Sequence, residues 1–432
     1  MNRTLLVALP MLLLTAVAPA ALQAGAAKRS IVPPFPTNMG GYFDRTDDFE
    51  GVDRTIYARA LVCKNDERAV AILVADLIGV SRGMVDDIRA AVARETQLHP
   101  DSILIAATHT HSGPAASSGA RRLVYDKTTP LNAFLVETLS ATLLDAWKAM
   151  EPAKVGFAYG TLDGITTNRQ QRNDTVIDPE VGVLKVQAQD SRRTIATLSN
   201  FTGHPVILGS DNLLLSCEYP GVACEIVEDV VGGVAIFTQG ACGDVTMKRS
   251  GPPFDEVTRL GRVLAGEILV TSEQIVPGAE EALHAHSETL QLTPRQLPTP
   301  EVARAEIEDA KAAVAAGEAA GLPAYQMDEL RREVNAAHTT AMVAQVAVEQ
   351  PELLAAATES TCQVIQIGPM VAVAIPGELF VEYGLEMKKR VAQDTGRAMV
   401  LVGYANDYIG YIITPRADQT GGYERAVSRV AP

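Results

Sequence analysis

Two histidines stand two residues apart in Ala107-Thr108-His109-Thr110-His111-Ser112-Gly113-Pro114, directly after the apolar run Ser102-Ile103-Leu104-Ile105-Ala106. In an extended chain, side chains at i and i+2 share a face, so His109 and His111 are expected to converge on one metal or one substrate. The apolar run reads as a strand inside an α/β sheet, where ligands gather beyond the carboxyl ends of strands. Three more polar groups end apolar runs in glycine-containing turns: His204 in Thr202-Gly203-His204-Pro205, Asp244 in Cys242-Gly243-Asp244-Val245-Thr246, and Glu378 in Pro376-Gly377-Glu378. Loops held by a rigid sheet are where binding groups concentrate.

Two histidines and one carboxylate form a common catalytic zinc set that leaves a position for water. Zinc brings the pKa of bound water to about 7 and polarises a carbonyl, which suits amide or ester hydrolysis. Other metal patterns fit less well. The metallo-β-lactamase pattern needs an aspartate and a histidine soon after the pair, where Ser112-Gly113 stand instead. No His-Glu-x-x-His occurs, and an amidohydrolase barrel needs more histidines downstream than His204, His284, His286 and His338 supply. His284 and His286 lie in a polar stretch that reads as a solvent-exposed strand, and serine hydrolysis is the weaker alternative to metal chemistry.

The elements that must position these groups follow from periodicity. Residues 69–77 are apolar and β-rich, 81–95 carry apolar residues at helical spacing, and 102–107 form the next strand, a βαβ pattern. Further strands are expected at 183–186, 197–201, 233–237, 364–375 and 398–402, with helices near 130–149, 219–231, 255–270 and 378–392. The fold class is therefore α/β, a mixed β-sheet covered by helices. Over residues 299–356 the composition shifts to Ala, Glu and Arg. Thr299 is placed to cap a helix, Pro300 to start it, and Gly321 with Pro323 to break it, so an inserted helical hairpin is expected.

Composition bounds the setting. A chain of 432 residues with 47% hydrophobic residues can build a substantial core. Met1-Asn2-Arg3 and the following apolar stretch end in small residues, which reads as a secretory signal peptide over 1–24, with cleavage near Ala24. The expected location is exported, periplasmic or secreted. Five cysteines, Cys63, Cys217, Cys224, Cys242 and Cys362, make an odd set; Cys217 and Cys224 are the nearest pair, and no Cys-x-x-Cys occurs. A net charge of −15 argues against nucleic acid and against more than peripheral contact with a membrane.

Taken in order, the Thr-His-Thr-His-Ser-Gly-Pro stretch (108–114), Gly203-His204-Pro205, Cys242-Gly243-Asp244-Val245 and Pro376-Gly377-Glu378 resemble the catalytic domain of the neutral ceramidases, zinc-dependent hydrolases of the ceramide amide bond. The resemblance spans most of the chain from residue 25 to 432. It implies one zinc per chain, held by His109, His204, Glu378 and a tyrosine of the 403–411 segment. Tyr411 is the choice because Tyr423-Glu424 matches the family's later Tyr-Glu pair, with Tyr408 as the fallback. It implies catalytic roles for His111, Arg169, Tyr423 and Thr246, and substrate contacts at Asp244 and at Gly41, whose Gly41-Tyr42 resembles a turn lining the family's pocket. Zinc would then activate water for attack on the amide carbon, while His111, Arg169 and Tyr423 neutralise the oxyanion.

Two departures stand out: Thr246 replaces a serine, and Gln170-Gln171 replace Ser-Pro after Asn168-Arg169. The family's carboxyl-terminal immunoglobulin-like domain is expected to be absent. The leading expectation is an exported zinc hydrolase of N-acyl amides that turns ceramide into sphingoid base and fatty acid, with a lipid or other N-acyl amide as partner. An amidase or esterase of the same design for a non-sphingolipid substrate is the near alternative, and a non-catalytic zinc- or solute-binding protein the distant one.

Overall fold

In the computed structural model, residues 22–42, 45–116, 125–170, 176–278, 282–322, 324–351, 359–420 and 422–432 are described. Eight strands form the main sheet: β1 (Gln23–Ser30), β2 (Tyr57–Lys64), β3 (Ala69–Ala75), β4 (Ile103–Ala107), β5 (Glu151–Thr161), β6 (Glu180–Ala188), β7 (Thr194–Phe201) and β8 (Val234–Gln239). Their order is β8-β7-β6-β5-β1-β2-β3-β4. The outer pairs β3–β4 and β7–β8 are parallel and the inner pairs antiparallel. A second sheet joins β9 (Leu283–Gln291), β10 (Glu359–Ile367), β11 (Met370–Ala374) and β12 (Ala398–Val402).

The strands are apolar on both faces because each face meets a different core. Ala58, Ala60, Leu73, Ala75, Ile103 and Ile105 point to a cluster under α1 (Arg82–Ala93) and α2 (Pro130–Lys148). Their neighbours Leu61, Ile72, Val74, Leu104 and Ala106 point the other way, against Ile365, Ala372 and Val400 of the second sheet. On the other half, Val181 and Val183 pack under α3 (Glu218–Val231) and α4 (Pro253–Gln274), while Leu184 and Val186 join the inter-sheet core. The period of two thus divides each strand between two buried layers, and a mixed sheet covered by helices results.

The hairpin expected from 299 onward is α5 (Pro300–Ala319) and α6 (Ala324–Glu349), with the Thr299 hydroxyl accepting from Val302 N as the cap. Residues 352–356 of that expectation lie outside the described residues. Helix α7 (Val381–Thr395) follows β11, and α8 (Pro415–Thr420) and α9 (Tyr423–Val427) close the chain.

Several boundaries differ from the sequence reading. The run 364–375 is two antiparallel strands, because Gly368 takes a left-handed turn at φ 53°. Glu378 does not start a helix: Glu378–Leu379 is a short strand paired in parallel with Tyr411–Ile412, and the helix begins at Val381. The signal segment 1–24 lies outside the described residues through Ala21. Its last residues are strand: Gln23 and Ala24 pair with β2 and with β5, and Ala24 is buried, so a cut after Ala24 would fall inside β1.

Strands β4 and β8 are opposite edges of the sheet, yet the sheet coils until segment 403–406 can bridge them. Gly403 N donates to Gln239 O at 2.9 Å, Ala107 N to Tyr404 O at 3.2 Å, Ala405 N to Ile375 O at 3.1 Å and Asn406 N to Ile105 O at 2.7 Å. Four strand ends are tied together there.

Candidate metal centre

His109 and His111 meet, but not through the pleat of a strand as their spacing suggested. Strand β4 ends at Ala107, and His109 sits in the left-handed region at φ 66°, a conformation that bulky residues hold only when the surroundings enforce it. The backbone is enforced on each side: Thr108 N donates to Ala75 O, His111 N donates to Pro205 O, and the buried Arg45 guanidinium donates to His111 O at 2.6 Å. The turn carries both imidazoles over the edge of the sheet. A pleat would have left them flat against it.

His204 arrives from the end of β7, where Val206 N folds back to its carbonyl and His204 N donates to Val245 O. The Nε2 atoms of His109 and His204 are 2.9 Å apart, and those of His111 and His109 are 3.3 Å apart. Among the described residues these three histidines form the one cluster with metal-ligand spacing. Glu378 completes it: its Oε2 lies 3.4 Å from His109 Nε2 and 3.7 Å from His204 Nε2.

The hydrogen bonds behind the rings fix their chemistry. His109 Nδ1 faces Ile78 O at 2.6 Å and His204 Nδ1 faces Cys242 O at 3.1 Å. A carbonyl only accepts, so each Nδ1 carries the proton and each Nε2 presents a bare lone pair. Two lone pairs and a carboxylate oxygen therefore point at one another, and Oε2 of buried Glu378 has no hydrogen-bond partner. Such an arrangement repels itself unless a cation stands between the three atoms. Ligands about 2.0–2.1 Å from a tetrahedral ion lie roughly 3.3 Å apart, close to the separations seen. The donor set fits a divalent metal.

The electrostatics agree. Burial first, then neighbouring Arg169, holds His204 well below its ordinary pKa; burial, with Arg45 and Arg169, does the same for His111. Burial alone would raise Glu378, but the Tyr408 hydroxyl and the charge of Arg169 pull the other way, and the carboxylate lies below its ordinary value. Tyr408, the fallback ligand, spends its hydroxyl on Glu378 Oε1 and orients the carboxylate from behind.

Tyr411 stands directly across from Glu378 in the short strand pair, and its hydroxyl accepts from Arg169 Nη2 at 2.9 Å. The same Nη2 donates to Gly243 O. Tyr423 lies edge-on to Tyr411, with ring centroids 6.0 Å apart. Gly41 takes φ 105°, and a Cβ there would come within 2.7 Å of the His111 ring, so only glycine fits. Thr246 bridges to His204 on strand Val245–Met247. Asp244, expected to touch substrate, engages its carboxylate within the fold: its Oδ1 accepts from Val381 N and its Oδ2 from Asn168 Nδ2, and it is buried. It braces the turn that carries Gly243 and Val245. Burial raises its pKa to about 6. Gln171 lies outside the described residues.

Sequence reasoning passed over the residues that hold the ligands. Tyr404, at φ 55°, stacks on the His109 ring at 3.9 Å and 18°, and Cys242 Sγ sits 3.0 Å from its hydroxyl. Gln239 clamps Gly203 ahead of His204 through both its oxygen and its nitrogen. The left-handed turn at 404–406 had a signal in Asn406, but stacking between residues 295 positions apart leaves none. Gly79-Val80-Ser81-Arg82-Gly83 spells a nucleophile elbow between β3 and α1, yet the buried Ser81 hydroxyl serves as the helix cap, accepting from Met84 N. Cys217 and Cys224 are unbridged: seven residues along α3 separate Cα atoms by about 10 Å, beyond disulfide reach.

A family model described as neutral/alkaline non-lysosomal ceramidase, N-terminal, matches residues 23–261. The chain is 25% identical over 456 aligned positions to a neutral ceramidase of Mycobacterium tuberculosis, covering 89% of this chain and 70% of that protein. It is 25% identical over 252 positions to neutral ceramidase A of Dictyostelium discoideum, covering 51% of this chain and 35% of that one. Its fold matches the crystal structure of the neutral ceramidase from Pseudomonas aeruginosa with a TM-score of 0.74 at 20% identity, over 95% of this chain and 71% of that one.

Proposed function

The chain belongs to the neutral/alkaline non-lysosomal ceramidase family, and from that premise we propose that it is a zinc-dependent hydrolase of N-acyl amide bonds that cleaves ceramide to a sphingoid base and a fatty acid. The observation that carries this reading is the meeting of His109 Nε2, His204 Nε2 and Glu378 Oε2 with their lone pairs turned inward. Tyr411 is the fourth ligand in this proposal, on the strength of its place opposite Glu378. A bound zinc supplies a water nucleophile near neutral pH and polarises the amide carbonyl.

The chain's own groups do the rest. His111, kept neutral by burial, stands beside the ligands with an imidazole able to carry a proton to the leaving amine. Arg169, whose charge Tyr411 and Glu424 sustain against burial, faces the same space and stabilises negative charge growing on the carbonyl oxygen. The Tyr423 hydroxyl, pushed up by burial and so kept protonated, is a second donor for that oxygen. Thr246, whose backbone bridges to His204, would supply a hydroxyl to order the substrate amide.

A second reading, an amidase or esterase for a non-sphingolipid substrate, is favoured by one observation: Gln170, in place of the family's serine, turns its amide onto Glu424, the ion-pair partner of Arg169. Metal analysis and a substrate panel separate these readings. The purified protein should carry one zinc per chain and hydrolyse ceramide, and His109→Ala should lose both the metal and at least a hundredfold in activity. Cleavage of short soluble N-acyl amides without ceramide would move the assignment to the second reading. A metal-loaded protein that turns over neither would end both.

Export is part of the proposal, supported by the charged start and apolar stretch of residues 1–21. No helix among the described residues is long and apolar enough to cross a membrane. Since Leu22 is buried and Ala153 N donates to its carbonyl at 2.7 Å, cleavage belongs upstream of Leu22. Amino-terminal sequencing of the exported protein should find a start at or before that residue; a start at Gly25 would contradict the strand pairing.

A further inference from the structure

We propose that Glu424 is the positioning residue for Arg169, and that the inserted hairpin is the part of the fold that seats it. The inference rests on the hydrolytic reading above, in which Arg169 meets the oxyanion. Arg169 turns Nη2 toward the site, where it donates to Gly243 O and to the Tyr411 hydroxyl. On its other side Nε lies 2.8 Å from Glu424 Oε1, in an ion pair that has no aligned hydrogen bond. Charge and distance thus hold the back of the guanidinium. The second carboxylate oxygen is taken as well, since Gln170 Nε2 donates to Glu424 Oε2. With both oxygens engaged and the side chain 4% exposed, Glu424 has one orientation to offer.

The charge matters as much as the geometry. Arg169 is a largely buried cation, its side chain 13% exposed, close to the histidines and to the metal they are suited to hold, and a guanidinium left unpaired there would be driven toward solvent. Glu424 cancels that repulsion from the side away from the site. Glu424 is itself anchored by the hairpin. Thr340 Oγ1 of α6 donates to Ala426 O at 3.2 Å, and Ala336 of α6 is buried in one cluster with Tyr411, Ile413 and Val427. A helix laid across α9 from outside the sheet therefore sets how far Glu424 stands from Arg169.

The test is a double-substitution cycle on the metal-loaded full chain. Glu424→Gln removes the charge at constant shape, and kcat should fall on the order of ten- to a hundredfold with KM within about twofold and the zinc content unchanged. In an Arg169→Gln background the same change should cost less than about twofold, because its effect runs through the arginine. A readout apart from turnover is calorimetric binding of dodecyl phosphonate, whose charged oxygens imitate the oxyanion; Glu424→Gln should weaken it by a similar factor, again only when Arg169 is present. Losses that multiply in the double variant, or a loss confined to KM, would overturn the proposal. Should Glu424→Gln fail to fold, Gln170→Ser frees one carboxylate oxygen without touching a charge. It should lower kcat about threefold or more in the Arg169 protein and leave the Arg169→Gln protein unchanged; no loss would overturn the idea. If the unaltered protein cleaves no N-acyl amide, the hydrolytic reading falls, while the phosphonate cycle still decides whether Glu424 acts through Arg169.

Discussion

Glu218 illustrates how much the site depends on residues that touch no substrate. It is fully buried at φ 49°, and its carboxylate accepts from Ile207 N and Leu208 N, three and four residues past His204. Burial raises its pKa to about 7, although the two backbone donors, Arg249 and Arg45 pull the other way. A carboxyl whose folded value exceeds its unfolded one favours folding while protonated. Its contribution is whole below the unfolded value near 4.5 and is lost as pH rises through about 7. Thermal unfolding of the wild-type chain against Glu218→Gln should therefore show the wild type losing ground between pH 5 and pH 8, by on the order of 3 kcal/mol. A difference that stays constant over that range would show that the carboxylate is as well solvated by its donors as by water.

Between elements, the turn at 403–406 does the joining, and its last residue bears most of the load. Asn406 Oδ1 accepts from Arg89 Nη2 and from Ile105 N, both at 3.0 Å, and its Nδ2 donates to Gln363 Oε1 at 2.8 Å. One buried amide thereby ties α1, β4 and β10 to the strand ends beneath the metal ligands. Asn406→Ala leaves buried donors unanswered and keeps a left-handed φ of 63° without the side chain that favours it. Urea unfolding should report a loss of roughly 2–4 kcal/mol, and zinc should bind more weakly because the Tyr404 stack on His109 shifts with the turn. The element types around this turn were legible from periodicity, since β3, α1, β4 and β12 recur where apolar spacing put them. The pairing was not: residue 406 lies 301 positions from Ile105, and nothing local links them.

For the whole molecule, a metal held by the buried and mutually repelling donor set would be part of the folding balance. An ion that binds only the native chain adds RT ln(1 + [L]/Kd), about 2.7 kcal/mol at a hundredfold excess over Kd. Dialysis against a strong chelator should lower the unfolding midpoint by several degrees, and stoichiometric zinc should restore it together with activity. His109→Ala should make the midpoint insensitive to chelator, because the set can no longer close around an ion. An unchanged midpoint in the unaltered protein would mean that His109, His204 and Glu378 hold no metal in solution.

Read alone, the sequence determined a good deal: the α/β class, the hairpin after Thr299, and His109, His111, His204 and Glu378 as polar groups at strand ends, whereas Arg169 and Tyr411 came only from the family resemblance. These are local facts, because the period of apolar residues and the polar end of a strand are written within a few positions of one another. What only the tertiary structure decided is how the groups meet. The bridging of both edges of an eight-stranded sheet by segment 403–406, the left-handed turn that carries His109, the commitment of Asp244 to Val381 and Asn168, and the packing of Tyr423 and Val427 with Ala336 of α6 all arise from contacts between segments far apart in the chain. Such contacts are set by which surfaces the packed layers leave facing one another, and a short window of residues does not contain that information.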